Sequence, residues 1–232
     1  EAMAQRLGYA KVSEQKKAVT IKIYEYMASG GFLFAMCSAT DTFDIALAAL
    51  DLDICHQIFD GDGANTQVQG KLNFDRTMAF ENFTLEMNPL VYEFSDIDTT
   101  PTDMRQIRTA EAEYFTLFEF SAKYDPVPTM LTQCHTNIVD GFLGQTTAFR
   151  KGLIKKSVVL LGQEEGTDNV KYIHGRAGKG TFTFYAGHDP EDHKHHVGDP
   201  PTNLALHPNS PGYRLILNNV LFPAAKKKER KT

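Results

Sequence analysis

The alternation of apolar and polar positions near the start of the chain predicts one α/β crossover unit. Residues 13–29 have the spacing of a helix, with Ser13 as its N-cap and Gly30-Gly31 ending it. Residues 32–36 form an uninterrupted apolar run, which is typical of a strand buried on both faces. A short polar stretch follows, and residues 43–50 again have helical spacing. Helix, buried strand, sharp turn and helix in this order indicate an α/β fold.

The rest of the chain predicts further strands around a long excursion. Residues 51–112 contain glycine and proline punctuation and are interpreted as an excursion from the sheet rather than a second domain. After it, the pattern predicts strands at 114–122, 129–133 and 158–162, a hairpin at 170–174 and 181–186, and a helix from Ser210-Pro211 to Pro223. Residues 1–232 are expected to form a single domain with a basic tail at 226–232.

Composition and charge exclude several classes of protein. The 232 residues are 42% hydrophobic and 23% charged, which is ordinary for a globular chain with a large core. The 226–232 tail carries a net charge of +4, so the rest of the chain carries −9 within a total of −5. An acidic body argues against a nucleic-acid partner. No apolar run reaches the ~18 residues that span a bilayer, so no membrane insertion is expected.

The cysteines favour a reducing compartment. Cys37, Cys55 and Cys134 are too few and too odd in number for a disulfide framework. The first residues also lack the basic start and apolar run of a signal peptide. We therefore expect the protein in the cytoplasm.

Cys37 is the residue that most strongly suggests chemistry. It stands where the predicted strand 32–36 turns into a helix, so its side chain is expected above the carboxyl edge of the sheet. The N-terminus of that helix favours a thiolate, and backbone amides near Ser38 can hold an oxyanion. This is the geometry of a nucleophile elbow. The alternative is a small buried side chain without reactivity.

A second constellation follows the predicted strand 181–186. His188 leaves the end of that strand with Asp189 and Glu191 nearby. A carboxylate can orient a histidine that acts as a base, so these residues and Cys37 predict a Cys–His–acid site. The alternative is a solvated loop in which the acids cap the next turn.

The same loop carries the ligand types of a zinc or iron site. Five of the eight histidines lie within twenty residues: His188, His193, His195, His196 and His207. His188, His193 and His196 are the candidate metal ligands, although their spacing matches no standard motif. The alternative is a polar surface loop, and no other cofactor is expected.

Four further residues are candidates for substrate binding. Thr40 and Asp41 lie in the polar turn after Cys37. Arg150 ends the segment 144–150 and can bind an anionic ligand, although it equally suits a surface ion pair. His207 lies in a loop punctuated by prolines, and ordered loops of this kind often line sites.

Two segments resemble the ThuA-like (trehalose-utilisation) proteins of the class I glutamine amidotransferase-like superfamily. Residues 30–43 (GGFLFAMCSATDTF) resemble the family's glycine-rich strand and elbow, and residues 178–188 (GKGTFTFYAGH) resemble its closing strand and Gly-His. The run from Gly180 to Lys228 is similar to bacterial proteins often labelled asparagine synthetase B. The resemblance implies a flavodoxin-like three-layer sandwich with a mostly parallel sheet.

The resemblance also implies that N-terminal βα units of the family are missing from this chain. An upstream segment or a separate chain is therefore expected to pack against residues 14–50 and complete the sheet. Typical ThuA-like members carry His at the elbow, whereas glutamine amidotransferases have a cysteine there, as at Cys37. Amidotransferases place Glu two residues after the histidine, where this chain has Pro190. The acid therefore stays open between Asp189 and Glu191.

The functional expectation is a cysteine-dependent hydrolase or amidotransferase that acts on an amide or related carbonyl through a thioester. Cys37 is the expected nucleophile, His188 its base, and the amide of Ser38 an oxyanion donor. One alternative is a non-catalytic or structural protein that binds a sugar-like small molecule. The other is a metal site on the histidine-rich loop. A homo-oligomer is compatible with all three.

Overall fold

The structure is a computed structural model that describes residues 2–99, 114–120, 126–132, 135–142, 144–188, 190–191 and 198–225. The predicted basic tail at 226–232 lies outside these residues. No helix among the described residues is long and apolar enough to cross a membrane.

Six α-helices, seven strands and several short 3-10 helices make up the regular part of the described residues. The helices are α1 (Ala2–Arg6), α2 (Val12–Ala28), α3 (Asp41–Ala48), α4 (Gln57–Asp60), α5 (Pro126–Thr132) and α6 (Pro211–Leu221). The strands are β1 (Phe32–Met36), β2 (Tyr114–Leu117), β3 (Ile138–Asp140), β4 (Phe149–Arg150), β5 (Val159–Gln163), β6 (Asn169–Ala177) and β7 (Gly180–Tyr185).

The sheet is mixed, so the expected flavodoxin-like three-layer sandwich with a mostly parallel sheet is wrong. Its strand order is β1-β7-β6-β5-β2-β3, with β4 paired to β6, and it curls into a half-barrel. Within the described part of the sheet, only β1 and β7 run parallel, and the other pairs are antiparallel. The connections at 164–168 and 178–179 are too short for the crossover that parallel neighbours require. The later strands therefore pair as hairpins.

The local predictions agree with the structure better than the sheet topology does. Helices α2 and α3, strands β1 and β5, and the β6–β7 hairpin confirm the predicted elements. Ser210 caps α6, since its side chain accepts a hydrogen bond from the amide of Tyr213. Ser13 does not cap α2, because Lys11 occupies the N-cap position. The predicted strand at 129–133 is wrong, since α5 occupies most of it.

A close approach between α2 and β7 aligns the parallel strands. A Cβ atom on Gly180 would lie 1.9 Å from the carbonyl oxygen of Met27 and 2.3 Å from that of Gly31, so only glycine fits there. The amide of Lys179 donates to the carbonyl of Ala28 at 2.8 Å, and the amide of Thr181 donates to that of Gly31 at 3.1 Å. Strand β7 therefore starts level with β1, and both strands end at the same edge of the sheet.

The side chains of β1 alternate between two apolar clusters on opposite faces of the sheet. Leu33 and Ala35 pack with Met27 of α2 and the buried face of α3. Phe32, Phe34 and Met36 pack with a cluster that includes residues of α6. Strand β1 lies at one end of the order of the described strands. The expected upstream partner on residues 14–50 stays a prediction.

Asp44 of α3 anchors residues 51–99 to the rest of the protein. This segment covers one face of the sheet with short helical turns and isolated bridges. The carboxylate of Asp44 is fully buried and accepts hydrogen bonds from the amides of Met78, Ala79 and Phe80 at 2.7 to 2.8 Å. One side chain thus satisfies three consecutive buried donors.

Replacing Asp44 with alanine should destabilise the protein by roughly 3–5 kcal/mol, because three buried amides lose their acceptor. Urea unfolding measures this change. Asp51→Ala is the matched control, since Asp51 is largely exposed in its 2.7 Å ion pair with Arg76 and should cost less than about 1 kcal/mol. Equal losses for the two variants would contradict the role given to Asp44.

Candidate active site

The parallel pairing of β1 and β7 brings Cys37 and His188 together. Met36 and Tyr185 are partners in the register of the two strands, and each lies at the end of its strand. The amide of Cys37 then donates to the carbonyl of Gly187 at 3.0 Å. The predicted nucleophile and base therefore leave neighbouring strands at the same edge.

Cys37 occupies a sharp turn with a left-handed backbone conformation. Its φ angle is +57°, which is uncommon for a residue with a side chain and is often found at functional sites. Both the amide and the hydroxyl of Thr40 donate to the Cys37 carbonyl, at 3.1 and 2.7 Å. Helix α3 begins at the next residue. This strand–turn–helix arrangement is the geometry of a nucleophile elbow.

Gly144 forms a contact surface shared by the thiol and the imidazole. A Cβ atom built on Gly144 would lie 2.6 Å from Cδ2 of His188, 2.9 Å from its Nε2, and 3.2 Å from Sγ of Cys37. The sulfur and Nε2 therefore lie within about 6 Å of one another. The absence of a side chain at position 144 allows the two groups to meet.

Several groups act on the ionisation of Cys37, with a net lowering of its pKa. Burial is the largest contribution and raises the pKa, because the half-buried thiolate loses hydration. Hydrogen bonding from His188 and from the amide and hydroxyl of Ser38 outweighs burial and holds the pKa below the ordinary value. When protonated, the thiol donates to the carbonyl of Gln145 at 3.0 Å. The thiolate and the thiol thus have different partners.

A buried carboxylate clamp holds the loop that faces Cys37. Asp98 accepts hydrogen bonds from the amides of Thr146 and Thr147 at 2.8 and 3.2 Å. Asp41 accepts the hydroxyl proton of Thr146 at 3.0 Å, and both carboxylates are buried. Thr146 itself has a left-handed φ of +60°, so these contacts support a strained backbone. The clamp positions Gln145 against the thiol.

The remaining predicted residues lie in three different places. Thr40 and Asp41 are fully buried behind the turn, where they bind backbone and Thr146. Arg150 is exposed, and its Nε donates to the carbonyl of Asp96 at 3.0 Å. Glu191 and His207 lie together, with 3.9 Å between the carboxylate oxygen and Nδ1, and line a cleft of about 400 Å³.

Three of the predicted metal ligands or orienting acids lie outside the described residues, namely Asp189, His193 and His196, as does His195. His188 is described and its side chain is exposed. Both the orienting acid and the histidine-rich metal site therefore stay predictions.

The described residues contain one carboxylate cluster with the spacing of a metal site, formed by Asp53, Asp60 and Asp62. Lys11 lies in it and pairs with Asp53 at 2.9 Å and with Asp62. An ammonium group thus already supplies positive charge to these acids. The cluster lies away from the predicted histidine ligands in the chain.

The sequence indicated some of the site residues and not others. In the segment 144–150 the sequence singles out Arg150, whereas Gly144 contacts Cys37 and His188, and Gln145 contacts Cys37. Asp98 lies in a turn-rich part of the excursion, and nothing in its local pattern predicts contact with residues 146–147. Only the tertiary fold brings these segments together.

Comparisons with known proteins identify no relatives: no protein-family model, curated protein or solved structure matches the chain.

Replacing Gly144 with alanine should separate the imidazole from the thiol. The pKa of Cys37 should rise, and its alkylation by iodoacetamide at pH 7 should slow roughly threefold to tenfold. Peptide mass spectrometry reads each thiol separately. Cys55 is an internal reference, because burial and the neighbouring Asp60 raise its pKa to about 11.

Gly152→Ala is the matched control, since nothing lies within 4 Å of a Cβ atom at that position. It should leave the alkylation profile unchanged. Because Gly144 has a φ of +147°, urea unfolding must show that its variant is folded at the assay temperature. A folded Gly144→Ala protein with the wild-type profile would contradict the shared contact.

The pH dependence of stability tests the burial of Asp41. Burial, helped by the charge of Asp98, raises the pKa of Asp41 to about 7 from its ordinary 3.8. Between these values the folded protein binds more protons than the unfolded chain, so this group's contribution to stability is lost as pH rises. Asp41→Asn removes the ionisation, and its stability relative to wild type should increase by roughly 2–4 kcal/mol between pH 4 and 8. Urea unfolding of both proteins at pH 4 and pH 8 measures the difference in unfolding free energy between them. A difference that stays constant or falls as pH rises would contradict the raised pKa of Asp41.

Proposed function

We propose that the protein is a cysteine-dependent hydrolase or amidotransferase that acts on an amide or related carbonyl. The observation that carries this proposal is the pairing of Cys37, in a left-handed elbow turn, with His188 across the shared surface of Gly144. A lowered thiol pKa beside an imidazole is the usual requirement of a cysteine nucleophile.

Acylation would begin with a proton transfer from Cys37 to His188. The thiolate attacks the carbonyl carbon, and the amide of Ser38 donates to the oxyanion of the tetrahedral intermediate. The protonated imidazole then gives its proton to the leaving amine, the carbon–nitrogen bond breaks, and a thioester remains on Cys37.

Deacylation would use the same two side chains. His188 takes a proton from water or from an acceptor amine, which attacks the thioester carbonyl. The carbon–sulfur bond then breaks, and the proton returns through the imidazole to the thiolate. Water as the attacking group makes the reaction a hydrolysis, and an amine makes it an amide transfer. Asp189 and Glu191 are the proposed orienting acids.

The choice of an amide rests on the resemblance of residues 30–43 and 178–188 to glutamine amidotransferase-like proteins. The mixed sheet differs from the flavodoxin-like sheet of that superfamily, so the fold does not support this choice. The support comes from these two segments and from the geometry of Cys37 and His188. The alternative is non-covalent binding of a sugar-like molecule. An exposed Cys37 with no histidine within reach would favour that alternative, whereas Cys37 is half-buried and His188 lies beside it.

An activated ester tests the covalent step without knowledge of the natural substrate. p-Nitrophenyl acetate should release a burst of about one nitrophenolate per chain, with an acetyl group on Cys37 seen by mass spectrometry. His188→Ala should slow acylation at pH 7 by at least about tenfold, because the thiolate loses its proton acceptor.

Two variants complete this experiment. Cys37→Ala should abolish the burst, and His135→Ala, which changes an exposed histidine shortly before β3, should leave it unchanged. No acetyl group on Cys37, or equal acylation rates for wild type and His188→Ala, would refute the proposed mechanism and favour the binding alternative.

A further inference from the structure

An ordered hairpin stands beside the Cys37 thiol. Residues 84–96 fold back on themselves through an antiparallel bridge between Leu85 and Ser95 and a 2.9 Å hydrogen bond from the amide of Glu86 to the carbonyl of Phe94. Asn88 closes the tip, since its side chain accepts the amide hydrogen of Leu90 at 3.0 Å. The tip is therefore held in shape before any ligand binds.

The tip and the returning arm of this hairpin carry exposed apolar side chains. Leu90, Tyr92 and Phe94 are 89%, 59% and 42% exposed, whereas the intervening Glu93 and the following Ser95 are buried. Leu90 lies in the turn at the tip, and Tyr92 and Phe94 follow it within four residues, so the three exposed side chains form one apolar group of the hairpin. We call this group, formed by Leu90, Tyr92 and Phe94, the hairpin face.

Gln145 connects the hairpin face directly to the thiol. Its side-chain amide donates to the carbonyl of Tyr92 at 2.6 Å, and its own carbonyl accepts the Cys37 thiol at 3.0 Å. Burial raises the pKa of the Tyr92 phenol, and the charge of Cys37 is the largest electrostatic contribution to the same shift. The phenol and the sulfur therefore lie close enough to interact.

We propose that the hairpin face is the wall against which the substrate places an apolar alkyl or aryl group next to its reacting carbonyl. This inference rests on the proposed function, because it takes Cys37 as the atom that attacks. Exposed apolar side chains grouped at a nucleophile mark a binding surface, and an aromatic ring such as Tyr92 offers a large flat contact. The substrate class is thus a carbonyl compound with an apolar substituent.

Two alkylating agents of different size test this wall. N-benzyl-iodoacetamide and iodoacetamide share one reactive group, and the ratio of their rates at Cys37 reports contact with the benzyl ring. We expect wild type to favour the benzyl reagent roughly tenfold over the ratio measured with free glutathione. Tyr92→Ala should bring the ratio close to that of glutathione, whereas Tyr92→Phe should retain it.

The matched control is Tyr26→Ala, which removes a tyrosine of similar exposure from α2. It should keep the wild-type ratio. Rates are measured at about pH 9.5, where an ordinary thiol is largely ionised, so the ratio does not depend on activation by His188. A wild-type ratio of the two rates equal to that of glutathione, or a ratio unchanged by Tyr92→Ala, would overturn the proposal that the hairpin face contacts the substrate.

The dependence of the Cys37 alkylation rate on pH separates failure of this inference from failure of the proposed function. A Cys37 thiol with a lowered pKa but no preference for the benzyl reagent refutes only the role of the hairpin face. A thiol with an ordinary pKa and a preference lost in Tyr92→Ala refutes the catalytic role while supporting an apolar surface at position 92.

Discussion

The parallel pairing of β1 with β7 is the constraint on which the candidate site depends. It is the only parallel pair among the described strands, and it brings two strand ends with different chemistry to the same edge. The absence of a side chain at Gly180 permits the approach that aligns them. If β7 paired antiparallel to β1, Cys37 and His188 would leave opposite ends of the pair. Strand direction thus determines whether a thiol and an imidazole can react together.

The acidic side chains of α3 maintain the strained backbone and the buried segments around Cys37. Asp44 holds the excursion through three backbone amides, and Asp41 joins Asp98 in holding Thr146. Left-handed conformations at Cys37 and Thr146 are unfavourable in isolation, so the surrounding hydrogen bonds must maintain them. The same contacts that stabilise the fold therefore position the groups around the thiol. Stability and proposed reactivity share one network.

The sequence predicted the local elements of the site because their signals are local. A buried strand followed by Cys37 and a helix, and a strand followed by His188, are both visible in the apolar pattern. The direction of the remaining strands is set by connection length and tertiary pairing. The resemblance to a family with a mostly parallel sheet therefore led to a wrong prediction for these antiparallel pairs. Gly144 and Asp98 act through contacts that are distant in the chain, so no spacing rule identifies them.

The ionisation of Cys37 is the central claim, and ultraviolet difference absorbance of its thiolate measures it most directly. The difference between wild type and Cys37→Ser, followed against pH, isolates this one thiol from Cys55 and Cys134. The account predicts a midpoint below the ~8.5 of a free thiol and a higher midpoint when His188→Ala is introduced into both proteins. A midpoint that is ordinary, or that is the same with and without His188, would contradict it.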